Sequence, residues 1–237
     1  MCVICHTPIL QEIRIMKTEI KPNTHSKRGA GKILESPSVF NFWQKITGGE
    51  KWKSRIMKEY IKPFHGARIL DVGCGTGSVL NYIDKNTTVD YIGCDINQNY
   101  ICQARKKFGG KGTFYCCDVN NLPTEESDFD ILLAIAIFHH LTDETSAKLI
   151  DSIKRKLKPG GVFFLAEPVW TEHSSRLEKY LMKNDRGKNI KTENGYRTML
   201  SDFFSSIKST IVCDSHFIPW TVNVITCKNP LGAAPTI

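Results

Sequence analysis

Three glycines, two isolated aspartates and a pair of histidines with a distant glutamate are the residues best placed to do chemistry. Gly73, Gly75 and Gly77 follow directly on the apolar run Ile69, Leu70, Val72, so a buried strand ends in a turn where a ligand can lie against bare backbone. A phosphate-binding loop would need Lys and then Ser or Thr after its last glycine, and Ser78-Val79 stand there instead. The dinucleotide pattern G-x-G-x-x-G is not met either, because the third glycine comes one residue early. Asp71, inside the same stretch, would repel a pyrophosphate and could pair with a cationic amino group. The corner therefore reads as a site for a nucleoside that carries positive charge. Asp95 lies 18 residues beyond Gly77, close to the spacing at which a carboxylate accepts from both ribose hydroxyls. Capping the helix that begins near Asn97 is its structural alternative, and the two jobs are compatible.

The elements that must position these residues alternate strand and helix. Strands are expected at 69–72, 89–94, 113–117, 130–137 and 162–165, the fourth almost unbroken in apolar character as a central parallel strand should be. Between them, helices are expected at 79–83, at 98–108 ending on Gly109-Gly110, and from a cap at Thr142 or Asp143 to the stop at residues 158–161. Before the first strand, one short helix after Pro37 carries Val39, Phe40, Phe42, Trp43 and Ile46, and a second spans 50–61 with Trp52, Ile56 and Tyr60 inward. The last third reads as a polar helix at 172–182, a charged loop at 183–191 and a helix at 195–204. Two apolar runs at 207–213 and 220–227 follow, too close together for a crossover and so paired antiparallel.

Residues 69–77 resemble the first motif of class I S-adenosylmethionine-dependent methyltransferases, and stretches 91–95, 114–118, 129–141 and 157–167 agree with that family in order and spacing. The resemblance covers residues 36–228 and implies a Rossmann-like, doubly wound α/β sheet of seven strands in the order 3-2-1-4-5-7-6, the last strand antiparallel. It implies S-adenosyl-L-methionine as cofactor, held by Asp71, Gly73, Cys74, Gly75, Gly77, Asp95, Ile96, Asp118, Val119, Ala134 and Ile135. Asp118 takes the place of the acid that accepts from the adenine amine, and Val119 that of the apolar residue packed on the ring. In similar enzymes the segment before the first strand, here 36–66, closes over the pocket, so Phe40 and Trp43 are candidates to line it. Packing of these aromatics onto the sheet is the alternative.

Methyl transfer from a sulfonium is an in-line displacement, so the protein must hold the nucleophile about 3 Å from the methyl carbon and exclude water. An alcohol or phenol acceptor also needs a base, and His139 and His140, just past the fourth strand, stand where one belongs. A structural imidazole bonded to backbone is the alternative for either. Glu167 is a second candidate for holding the acceptor. His173 is a third, more simply read as a solvated loop residue.

The tetrad Asn/Asp-Pro-Pro-aromatic that accompanies nucleobase amino methylation is replaced by Ala136-Ile137-Phe138-His139-His140, and no cysteine stands as a carbon-methylation nucleophile. The nearer likeness is to bacterial small-molecule enzymes of the ubiquinone and menaquinone type and of polysaccharide and natural-product pathways. Residues 184–188 and the Ile218-Pro219-Trp220 turn look like elements of the latter. The leading expectation is methylation of an oxygen on a small molecule, independent of metal. An RNA methyltransferase gripping phosphates with a basic arm ranks second, and a cofactor-binding module without turnover third.

The chain has 237 residues, enough for one α/β domain with short extensions. Its net charge is +8 and its pI about 9.0, with much of the excess in residues 1–35, read as a flexible basic arm; residues 229–237 are read as a tail. No apolar run reaches the 18 or so residues of a membrane span. Nine scattered cysteines fit a reducing, cytoplasmic compartment better than a disulfide framework. Cys2, Cys5 and His6 spell a haem-attachment pattern, but that chemistry needs an export signal and none precedes it. Nothing in the pattern sets an oligomeric state.

Overall fold

The computed structural model describes residues 49–123, 127–185, 187–213 and 220–230. The expected arm, most of the expected lid with Phe40 and Trp43, and residues 231–237 lie outside these.

Among the described residues eight strands form: β1 Arg68–Val72, β2 Asp90–Asp95, β3 Thr113–Cys116, β4 Phe129–Ile135, β5 Leu157–Trp170, β6 Lys191–Thr192, β7 Phe204–Val212 and β8 Val222–Pro230. The main sheet runs β3-β2-β1-β4-β5-β8-β7, parallel up to β5, with β8 antiparallel to both its neighbours. Leaving out the two-residue β6, this is the expected order with the final strand reversed.

The helices are α1 Gly49–Arg55, α2 Gln98–Phe108, α3 Asp143–Lys156, α4 Arg176–Lys183 and α5 Glu193–Ser201. Their starts follow the capping rules. The Asn97 side chain accepts from the Asn99 and Tyr100 amides, and Thr142, Ser175 and Thr192 cap α3, α4 and α5 in the same way. Basic residues close the last turns of α2 and α3, where they offset the exposed carbonyls.

Each face of the sheet carries its own apolar cluster. Phe129, Phe138, Ile150, Ile153, Tyr196 and Leu200 gather on the α3 and α5 side; Trp52, Ile56, Met57, Ile101, Ala104 and Phe108 gather on the α1 and α2 side. Burying both faces is what makes β1 and β4 read as continuous apolar runs.

Several boundaries differ from expectation. The helix expected at 50–61 is α-helical only to Arg55 and widens into π-helical turns over Ile56–Ile61, ending at Lys62 with φ 49°. The first crossover is a 3-10 turn, Ser78–Tyr82. Strand β5 is far longer than 162–165, because it pairs with β4 from Leu157, with β8 from Phe163 and with β6 at Val169 and Trp170. The stretch read as a charged loop ends in β6, and Phe204, expected at a helix end, opens β7.

Candidate functional site

The glycine turn is closed largely by backbone hydrogen bonds. The Gly73 and Cys74 amides both donate to the Cys94 carbonyl, at 2.7 and 3.0 Å, and Gly77 donates to the Cys74 carbonyl. This ties the end of β1 to the end of β2. All three glycines have positive φ, but they differ in surroundings. A Cβ on Gly73 would lie 2.5 Å from Ile137 Cδ1 and one on Gly77 2.9 Å from the Phe114 ring, whereas one on Gly75 would meet nothing within 4 Å. Gly75 thus presents an open backbone surface. Gly75→Ala is expected to cost about 1–2 kcal/mol through its left-handed conformation and to weaken S-adenosyl-L-methionine binding by tenfold or more. Thermal melting and calorimetry on the same sample separate the two effects.

Asp95 stands at the mouth of this turn. Its Oδ2 accepts from the Gly75 amide at 3.0 Å and its Oδ1 from the Asn97 amide at 2.8 Å. Burial pushes its pKa up, and these two amides oppose the shift. Each carboxylate oxygen keeps a second lone pair for a ligand hydroxyl. Beside it, Ile96 is 63 % exposed, an apolar side chain set out from the surface next to the acid.

Asp118, at the end of β3, accepts from the Asn120 amide at 2.9 Å and from Asn120 Nδ2 at 2.6 Å, capping the turn Val119–Asn121. Val119 itself is buried in the core, as are Ala134 on β4 and Cys74, whose sulfur faces Gly93. Ile135 is partly buried at the end of β4.

Asp71 lies beneath the turn, not in its mouth. It is buried and accepts from the Tyr91 hydroxyl at 2.6 Å. Burial raises its pKa to about 6, with the Tyr91 bond and the Lys53 charge pulling the other way. Lys53 on α1 also donates to Ser78 Oγ at 2.8 Å, so the helix before β1 is fastened to the exit of the glycine turn. Sequence reasoning missed Tyr91 and Lys53, since neither contact leaves a local pattern.

The histidine pair sits on the 3-10 turn Phe138–His140 that follows β4. Glu167, fully buried in the part of β5 that faces this turn, organises it: Oε1 accepts from the Ile137 and Phe138 amides at 2.7 and 2.8 Å, and Oε2 from the His139 amide at 3.3 Å. Oε2 is also 2.6 Å from His139 Nδ1, and His139 Nε2 is 3.3 Å from Asp185 Oδ2. His139 is 4 % exposed. Burial alone would lower its pKa, but the two carboxylates overcome it and hold it near 9; Asp185, despite its own burial, is held down to about 2 by the bond and charge of His139. His140 is half-buried with its ring 4.0 Å from that of His139. Asp185 was named in the sequence only within the stretch 184–188, with no sign of its partner. Strand ends therefore bring Asp95, Gly75, Asp118 and the histidine turn to one rim of the sheet, as open parallel sheets do at the reversal between β1 and β4.

Among the described residues, no group of three or more His, Cys, Asp or Glu side chains is arranged to hold a metal ion, and no helix is long and apolar enough to cross a membrane.

A methyltransferase-domain family model matches residues 69–161. The tRNA (carboxymethyluridine(34)-5-O)-methyltransferase ALKBH8 of Macaca fascicularis is 29 % identical over 200 residues, covering 80 % of this chain and 28 % of that protein. An O-methyltransferase of Pyrenophora dematioidea is 30 % identical over 155 residues, 59 % of this chain and 57 % of its own length. The chain thus spans less than two thirds of either relative. Phosphoethanolamine N-methyltransferase 2 of Haemonchus contortus, solved with S-adenosylhomocysteine, superposes with a TM-score of 0.67 at 16 % identity, covering 85 % of this chain and 59 % of that one, a likeness of fold. The open surface at Gly75, the acid beside it and the exposed Ile96 fit a nucleoside cofactor. With its motifs, its reversed final strand and the domain match over residues 69–161, the chain carries a methyltransferase domain and has the fold of the class I enzymes that use S-adenosyl-L-methionine.

Proposed function

We propose that the chain transfers the methyl group of S-adenosyl-L-methionine to an oxygen nucleophile on a small-molecule acceptor. The observation that carries this reading is the rim itself: a cofactor corner at Gly75 and Asp95 and, one strand over past β4, an imidazole pair in place of a nucleobase-amine tetrad. When bound, the cofactor supplies an electrophilic methyl carbon. The protein's part is to fix the acceptor in line, exclude water and take the acceptor proton. Of the two histidines, we assign the proton to His140, because both ring nitrogens of His139 face carboxylates. The O-methyltransferase relative supports an oxygen acceptor. All seven described cysteines are free thiols, which supports a cytoplasmic setting.

A second reading, an RNA acceptor, is favoured by the tRNA methyltransferase relative that matches 80 % of this chain and by the net charge of +8. The two separate in one experiment. Full-length protein is incubated with methyl-labelled S-adenosyl-L-methionine and either an extracted metabolite pool or bulk tRNA. Label in the metabolite fraction is the expected result. Nuclease-sensitive label in tRNA alone would replace the small-molecule acceptor, and no label in either, with the cofactor still bound, would leave a binding module.

A further inference from the structure

We propose that Asp185 and Gly187 are positioning residues for the acceptor side of the site, with His139 held between Asp185 and Glu167 as the cationic pin that fixes their segment against the turn after β4. The segment is seated by three polar contacts. Asp185 Oδ2 faces His139 Nε2 at 3.3 Å, the Gly187 amide donates to that same Oδ2 at 3.1 Å, and the Asn189 amide donates to the His139 carbonyl at 2.9 Å. Gly187 packs so closely that a Cβ there would collide with the His139 ring and its carbonyl, so no other residue fits.

An imidazole with a carboxylate on each nitrogen carries a proton on both, and such a ring has no lone pair with which to accept another. The residue in the expected place of a general base is thus a donor to two acids. Glu167 comes from β5 and Asp185 from the chain after α4, so the cation joins these two elements. Groups facing it are Glu167 from β5, Asp185 from that segment and His140 within its own turn. Because the turn after β4 borders the reaction centre in the reading above, whatever anchors this segment sets one wall of the acceptor pocket.

Pin and base predict opposite pH behaviour. A base gains activity as pH rises through its pKa. The pin is intact below the His139 value of about 9 and is lost as pH rises through it.

The test uses the full chain with ring-15N histidine, the His139 signal being assigned by its loss in His139→Gln. At pH 7.5 the expected spectrum shows both His139 nitrogens protonated; a neutral ring with one bare nitrogen would overturn the proposal. In Asp185→Asn, hydrogen exchange at the Gly187 and Asn189 amides is expected to quicken about tenfold or more, with calorimetric affinity for S-adenosyl-L-methionine within about twofold of the parent and transfer to the metabolite pool reduced about tenfold. Asp185→Glu should restore part of that loss. Unchanged exchange at Gly187 and Asn189 would sink it. The activity arm rests on the methyl-transfer reading, but the spectral and exchange arms do not. Failure of transfer with a doubly protonated ring would count against that reading alone, whereas a singly protonated ring in an active enzyme would count against the pin alone.

Discussion

Asp95→Ala is expected to abolish measurable binding of S-adenosyl-L-methionine while leaving a folded protein. A carboxylate accepting from two ribose hydroxyls makes two charge-assisted hydrogen bonds at about 1.5–3 kcal/mol each. Losing both corresponds to a weakening of about 10²- to 10⁴-fold. The same side chain also accepts from the Gly75 and Asn97 amides, so its removal loosens the open part of the glycine turn. That structural share is bounded by the other ties of the turn, the Gly73 and Cys74 amides on the Cys94 carbonyl, which do not involve Asp95. The loss of two amide acceptors at a partly accessible site is worth about 1–3 kcal/mol, a fall in melting temperature of roughly 2–12 °C for a chain of this size. Calorimetry reads the first effect and a melt the second. Affinity within tenfold of the parent would show that Asp95 only braces the Gly75 and Asn97 amides and is no ligand.

The parts of this site that were legible in sequence are those whose physics is local. An apolar β-branched run ending in glycines announces a buried strand and a turn, and Asn97 or Thr142 before a helix announces a cap, because each contact is made within four residues. The terminal hairpin was legible for the same reason: 207–213 and 220–227 leave no room for a helix. What stayed hidden is made across the fold. Tyr91 reaches Asp71 only because β1 and β2 pair in a register that sets Ile69 against Tyr91, and no pattern in either strand states that register. Asp185 lies 46 residues beyond His139, and its segment could be read as solvated charge until the packing put Gly187 on the imidazole. Asp71, expected to pair with a cation, is buried in the sheet, where it accepts from Tyr91 and feels the Lys53 charge. Val119, expected against a ring, is buried in the core cluster on the turn capped by Asp118.

Replacing Glu167 should be the most damaging single change to the stability of the described fold. Its two oxygens serve three successive amides and one imidazolium, and the residue is fully buried, so Glu167→Ala strands three N–H groups and leaves a buried cation with Asp185 as its remaining carboxylate partner. Breaking a buried pair from one side costs about 3–5 kcal/mol, or roughly 6–20 °C in melting temperature. Glu167→Gln distinguishes charge from shape. An amide can still accept from Ile137 and Phe138 through its oxygen, but its nitrogen then faces a protonated Nδ1 and the His139 amide, both donors, so the ring is driven toward its neutral form. The pH profile carries the signature. In the parent, His139 is raised from the ordinary 6.5 to about 9, so its contribution is fully present below about 6.5 and is lost as pH rises through 9. In Glu167→Gln that alkaline loss should shrink, because less of the upward shift remains to be released. A variant that melted within about 2 °C of the parent and kept the parent's alkaline limb would mean that the carboxylate holds the turn through its shape alone, and the charge assigned to His139 would have to be withdrawn.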